Sequence, residues 1–206
     1  MEIVALIMAG GKGTRFGGDT EKPMALFNGK PLIGRVIEAT KQSKKITEIY
    51  VAVTSYSPKT AQEAKKASVK VIETEGKGYH ADVQQAVQDV NINCPVMIVS
   101  ADLPLLNGPF LDEIIEEYEE SGMPALTVMI PEEALIEFGL SAVSLYEYKG
   151  KRYAVSGINI IDGRGILDEQ EQEVLASRRP EAVFTVNSAK DLEAAKNYLS
   201  CRTNKY

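Results

Sequence analysis

The apolar run Ile3-Val4-Ala5-Leu6-Ile7-Met8 passes without a break into Ala9-Gly10-Gly11-Lys12-Gly13-Thr14-Arg15-Phe16-Gly17-Gly18, and Glu21-Lys22-Pro23 follows shortly. No other stretch restricts the fold as strongly. A short apolar run rich in Ile and Val predicts a buried strand. Its abrupt end in glycines predicts a tight loop whose N–H groups converge on an anion. Lys12, Arg15 and Lys22 add positive charge, and an arginine fork grips two phosphate oxygens at once. A strand that ends in amide donors and cations predicts a phosphate site at the carboxyl edge of a sheet.

Two familiar phosphate loops fail on spacing. A P-loop requires Gly-Lys followed by Ser or Thr, but Lys12 is followed by Gly13. A dinucleotide fingerprint requires Gly-x-Gly-x-x-Gly and an acid at the end of the second strand. Here the match, Gly11-x-Gly13-x-x-x-Gly17, is one residue too long, and Ile49–Thr54 ends without an acid. An NAD-type oxidoreductase is set aside on this ground.

The remainder alternates strands and helices. Leu32, Ile33, Val36 and Ile37 stripe a helix that starts at Pro31, and Pro58–Ala67 predicts a polar helix with Ser57 as its cap. Asp82–Val90 predicts a further helix, and Leu111, Ile114, Ile115 and Tyr118 stripe another that stops near Gly122. Strands are predicted at 49–53, 69–72, 95–99, 125–130, 158–161 and 182–186, with a hairpin flap at about 143–155 around Lys149-Gly150-Lys151. Asn187-Ser188 caps a last helix that turns Leu192, Ala195 and Leu199 inward. The pattern predicts one domain over residues 1–206, an α/β doubly wound, mixed but mostly parallel sheet of Rossmann-like type with ligands at the strands' carboxyl ends.

The loop Met8–Gly17 with Glu21-Lys22-Pro23 resembles the signature of the nucleotidyltransferases related to the molybdenum cofactor guanylyltransferase. Glu73-Thr74-Glu75-Gly76-Lys77-Gly78-Tyr79, Thr127–Pro131 and Ser156-Gly157-Ile158-Asn159-Ile160 narrow the likeness to the archaeal GTP:adenosylcobinamide-phosphate guanylyltransferases, over Met1 to about Leu199. The resemblance implies transfer of GMP from GTP to adenosylcobinamide phosphate, with release of pyrophosphate, in cobalamin assembly. A sister enzyme with molybdopterin or a sugar phosphate as acceptor shares the nucleotide half, and a non-catalytic GTP-sensing module is the alternative from another class.

Site assignments follow from residue type, position and resemblance. The nucleotide falls to Met8, Ala9, Gly10, Gly11, Lys12, Gly13, Thr14, Arg15 and Lys22, with Gly76, Lys77 and Gly78 from the second glycine loop. Asp102, between the apolar run Pro95–Val99 and Pro104, projects from the sheet edge toward the cations. A carboxylate there suits Mg²⁺ held against triphosphate oxygens, and the resemblance makes it the metal-binding Asp. Asn159 is the candidate second metal ligand. Glu73 stands where the resembling enzymes place an acidic reader of the guanine edge, with Glu75 as substitute two residues on. Lys12, Arg15, Lys22 and Asp102 form the catalytic set. The acceptor phosphate is its own nucleophile, largely dianionic at neutral pH because its second pKa is about 6, so no general base is needed. His80, the one histidine, reads as a helix-start residue.

Composition sets the outer limits. Net charge of −6 disfavours a nucleic-acid partner, because polyanion binding wants a basic surface. Cys94 and Cys201 are too few for a disulfide framework, no apolar segment approaches a membrane span, and the start lacks a signal-like lead. Together these suit a cytoplasmic protein. The hairpin's exposed face suits either a homodimer contact or the acceptor.

Overall fold

The first strand, β1 (Ile3–Met8), holds the middle of the sheet because both of its faces are apolar: Ile3 and Ile7 pack to one side, Val4 and Leu6 to the other. The computed structural model describes residues 1–11, 13, 16, 21–141 and 144–203, the last two of these by backbone only. After the signature loop come a 3-10 turn at Lys22–Met24 and a two-strand ribbon, β2 (Leu26–Phe27) and β3 (Lys30–Pro31). Then α1 (Leu32–Gln42), β4 (Ile46–Val53), α2 (Pro58–Lys66), β5 (Lys70–Glu73), α3 (Tyr79–Asp89), β6 (Pro95–Ser100) and α4 (Gly108–Ser121) alternate as expected. The second half holds β7 (Ala125–Pro131), α5 (Glu132–Glu137), β8 (Tyr146–Tyr148), β9 (Lys151–Asp162), β10 (Gln172–Ala176), α6 (Pro180–Val183) and α7 (Ala189–Thr203).

The main sheet runs β10-β7-β9-β6-β1-β4-β5, with β8 paired to β9. Every strand in it except β9 points the same way, since β9 alone is antiparallel to its neighbours. Helices α1, α2 and α4 cover one face through Ile33, Val36, Ala64, Leu111 and Ile114, and α3 covers the other through Val83, Ala86 and Val87. This is the mixed, mostly parallel, doubly wound sheet the sequence predicts. The carboxyl ends of β1, β4 and β6 consequently share one edge, and ligand crevices form there in such sheets.

Several local expectations change. The second arm of the expected hairpin flap and the strand expected at 158–161 are one strand, β9, bent by a bulge opposite Thr127–Met129. Ser156 Oγ donates to Val128 O (2.9 Å) and accepts from Ile158 N (3.1 Å), which satisfies the interrupted ladder. Gly157 sits there at φ +79°, and a Cβ would lie 2.8 Å from the Ser100 side chain. The hairpin forms, pairing Tyr146–Tyr148 with Lys151–Tyr153; Ala142 and Val143 of the expected flap lie outside the described residues. Residues 182–186 are not a strand, because Pro180 at the first helical position opens the turn α6 instead. Ser57 precedes α2 but does not cap it, as its hydroxyl turns back onto Thr54 O (3.2 Å). Ser188 does cap α7 through Asp191 N (3.3 Å), with Asp191 accepting in return from Ser188 N (2.8 Å).

Candidate active site

A cleft of about 370 Å³ opens where β1 and β6 end, walled by the strand-end backbone Met8–Gly11 and by the loop leading into α3. Main-chain bonds register its floor: Ala9 N donates to Ala52 O (2.8 Å) and Ala101 N to Met8 O (3.2 Å). Thr54 Oγ1 donates to Gly10 O (2.7 Å). A Cβ on Gly10 would stand 2.6 Å from Thr54 Cγ2, so only glycine lets these chains approach.

Two charged side chains meet at the back of the cleft. Asp102 follows β6 and is 4% exposed. Its Oδ2 forms an ion pair with Lys22, whose side chain is 22% exposed. The other oxygen, Oδ1, is buried and has no hydrogen-bond partner among the described residues. A carboxylate desolvated with one vacant oxygen is costly, and its cost is offset when a cation arrives. Asp102 also borders a second cavity of about 280 Å³, shared with Ser100, Gly157, Thr185, Asn187 and Asp191. Val186 N donates to the main-chain Asp102 O (2.9 Å), the next residue Asn187 lines the same cavity, and Thr185 Oγ1 is a second buried polar atom without a partner among the described residues. Among the described residues no group of three or more His, Cys, Asp or Glu gathers. One carboxylate plus neutral oxygens matches a cation completed by substrate phosphates rather than a protein cage.

The structure sorts the expected residues. Met8, Ala9, Gly10, Gly11, Lys22, Gly76, Gly78 and Asp102 line the cleft; Gly13 lies against Lys22, where a Cβ would meet the Lys22 Cβ at 3.3 Å. Lys12, Thr14 and Arg15 lie outside the described residues. Glu73 is corrected: Ile72 packs toward α3, so its neighbour turns to the α2 side, exposed beside Val53, Pro58 and Lys65. Glu75 does not replace it, since its carboxylate pairs with Lys77 at the surface. The same contact holds the Lys77 ammonium pKa above the usual lysine value. Asn159 does not line the cleft with Asp102. It lines a neighbouring groove with Thr127, Gln84 and Gln172, and its amide meets the Tyr79 hydroxyl.

Two cleft residues carry roles that the sequence reading did not assign. Asp82, 8% exposed in the first turn of α3, accepts from Gly76 N (2.9 Å) and Lys77 N (3.2 Å) through Oδ1 and so holds the glycine loop against the helix. Tyr79 closes one side; 44% of its surface is open, yet its hydroxyl lies deep enough that burial pushes it up to about 12, opposed by the Asn159 hydrogen bond and reinforced by Asp102. The available signal for Asp82 was an acid one turn after Gly76-Lys77-Gly78.

Strand-end backbone, an ammonium–carboxylate pair and an unfilled buried oxygen have the chemistry to receive a polyanion together with a cation. Comparison with known proteins agrees. Residues 5–195 match the MobA-like NTP transferase domain, and the chain belongs to that family. It is 31% identical over 205 residues to the adenosylcobinamide-phosphate guanylyltransferase of Methanocaldococcus jannaschii, covering 95% of this chain and 96% of that one. A probable molybdenum cofactor guanylyltransferase of Thermococcus sibiricus is 39% identical over 119 residues, 58% of this chain and 57% of its own. The fold matches that of a CMP:2-keto-3-deoxy-manno-octonic acid synthetase complexed with CTP, at TM-score 0.70 and 16% identity, over 98% of this chain and 100% of that one. Among the described residues no helix is long and apolar enough to cross a membrane.

Proposed function

We propose that the protein transfers GMP from GTP to adenosylcobinamide phosphate and releases pyrophosphate. The observation that carries this reading is the meeting of Lys22 and Asp102 at the back of an amide-lined cleft, where Asp102 also borders the second cavity. A nucleotide on one side and an acceptor on the other would both present phosphate to that point.

The reaction needs two anions brought into line and their repulsion cancelled, so positioning and electrostatics supply the rate. The backbone at Met8–Gly11 receives the nucleotide. Lys22 stands where charge develops on the transferring α-phosphate, and Lys12 and Arg15 hold the β- and γ-phosphates. The acceptor phosphate attacks phosphorus itself, forming the new P–O bond as the bond to the pyrophosphate oxygen breaks. Asp102 fits Mg²⁺ through its unfilled Oδ1, with Thr185 and Asn187 lining the same cavity; Mg²⁺ when bound supplies charge neutralisation on phosphate oxygens. Asp82, which lines the cleft at the start of α3, accepts from the guanine Watson–Crick edge in place of Glu73.

The acceptor assignment is supported by the M. jannaschii relative, whose match runs nearly end to end, whereas the molybdenum-cofactor relative matches just over half. The second cavity adds to this with apolar walls: Leu135, Leu140 and Ala154 line it, and Tyr146 and Val155 on its rim are 53% and 51% exposed. Such a rim suits a large, partly apolar corrinoid better than a small sugar phosphate. The test is pyrophosphate release with GTP and Mg²⁺ against adenosylcobinamide phosphate, molybdopterin and sugar phosphates in turn. Release with the corrinoid is expected; release with another acceptor alone reassigns the substrate, and GTP binding with no release for any acceptor removes the enzymatic reading.

A further inference from the structure

Glu21 precedes Lys22, and its side chain turns away from the cleft. Its Oε1 accepts from Lys59 N (2.8 Å), and its Oε2 accepts from Thr60 N (2.7 Å) and Thr60 Oγ1 (2.6 Å). These are the first free amides of α2. Pro58 at the first helical position has no N–H, and Ala61 N is already bonded to Ser57 O (3.0 Å). Ser57, in the usual capping position, spends its hydroxyl on Thr54. The helix therefore takes its N-terminal cap from a residue 38 positions earlier in the chain. A carboxylate at that end also meets the positive pole of the helix dipole.

The backbone of Glu21 is fixed as firmly. Its carbonyl accepts from Met24 N (2.8 Å) and opens the 3-10 turn that carries Lys22, and Pro23 in that turn is buried. One residue is thus pinned by its side chain to α2 and by its main chain to the turn that presents Lys22. The neighbouring ammonium reaches across to Asp102 from this anchor. We infer that Glu21 is a positioning residue for the transfer reaction: by capping α2 it sets the backbone from which Lys22 reaches the reacting phosphate.

This inference rests on the nucleotidyl-transfer reading of the cleft, so its test carries one readout that is independent of catalysis. Glu21→Ala is compared with Glu21→Gln, which keeps one acceptor oxygen, and with Lys66→Gly, which weakens α2 at its exposed far end. Glu21→Ala is expected to lower kcat for pyrophosphate release about tenfold or more, because sub-ångström misplacement of a positioned group costs rate. KM for GTP should change less than about threefold. Glu21→Gln should fall between Ala and wild type, and Lys66→Gly should keep full kcat at a comparably lowered Tm. The independent readout is the ¹H–¹⁵N resonance of the Lys22 ammonium, assigned by its loss in Lys22→Arg. It should shift in Glu21→Ala and stay in place in Lys66→Gly. An unmoved Lys22 resonance, or wild-type kcat in Glu21→Ala, overturns the inference. A wild-type protein that releases no pyrophosphate with any acceptor instead removes the transfer reading and leaves the resonance comparison to decide the anchoring.

Discussion

Replacing Asp102 by Asn separates the cost of a buried charge from its use. The substitution preserves shape and volume, removes the charge that holds Lys22, and leaves an amide where the unfilled Oδ1 stood. Removing one partner of a buried ion pair typically costs about 3–5 kcal/mol when the other charge stays buried. Lys22, however, is 22% exposed at the cleft, so its ammonium turns to water and most of that cost is avoided. Against the remainder stands the relief of a desolvated carboxylate oxygen without a partner, worth on the order of 1–3 kcal/mol. The two nearly cancel. Since about 1 kcal/mol moves Tm by roughly 2–4 °C in a chain of this size, Asp102→Asn should melt within about 4 °C of wild type.

Catalysis should respond very differently. Removing one preorganised electrostatic group from a transition state costs about 3–4 kcal/mol, and each 1.36 kcal/mol is about tenfold in rate. Turnover at saturating GTP, Mg²⁺ and acceptor should therefore drop by roughly two to three orders of magnitude, followed by continuous pyrophosphate detection alongside thermal melts. The stabilisation that Mg²⁺ adds to the GTP-bound protein should shrink in the same variant. Turnover within about tenfold of wild type would take Asp102 out of the chemistry. A fall in Tm beyond about 10 °C would show that the carboxylate is structural and that the balance above is wrong.

Three other substitutions probe the remaining contacts. Lys22→Ala should lower kcat by about a hundredfold or more while raising KM for GTP far less, since its charge acts on the developing transition state; a change confined to KM argues for a simple binding role. Tyr79 is pushed to about 12 in the folded chain, above its ordinary value of about 10. The folded state thus keeps that proton longer than the unfolded chain, and its contribution is intact below pH 10 and lost as pH climbs through about 12. Urea unfolding at pH 8, 10 and 11 should fall less steeply with pH in Tyr79→Phe than in wild type; parallel curves refute the shift. Asn107 caps α4 by accepting from Phe110 N (3.0 Å) and donates to Glu181 Oε1 (2.9 Å). Asn107→Ala should cost about 1 kcal/mol, a Tm loss of roughly 2–4 °C by thermal melt, with kcat unchanged.

The parts of the fold that the sequence makes legible are those whose local period is strong. β1, β4, β6 and the striped helices α1 and α4 bury residues that recur at strand or helix spacing, and the structure bounds them close to the expected limits. Edge elements lack that period. Gln172–Ala176 has exposed residues at both ends, so β10 shows no alternation to read, and the ribbon of β2 and β3 is held mainly by the burial of Phe27. Glu73 fails for a related reason. Val71 and Ile72 are adjacent and apolar, as expected in a strand packed on both faces, so nothing in the alternation tells which face the next residue takes.

The site divides along a chemical line. Lys22 and Asp102 are legible because a cation in a glycine loop and an acid after an apolar strand are unexplained until a ligand is supposed, and each stands at the sheet edge where ligands bind. Glu21 and Asp82 are equally fixed in space, but their partners are peptide N–H groups: Lys59 and Thr60 for one, Gly76 and Lys77 for the other. Every residue except proline offers that donor, so the sequence carries no complementary letter to find. Both carboxylates fasten a loop of the cleft to a helix start, and both follow or precede a residue that the sequence does mark. Residues that shape a site through the backbone are therefore best sought beside the marked ones, at acids within reach of a helix whose own cap position is spent elsewhere, as Ser57 is here.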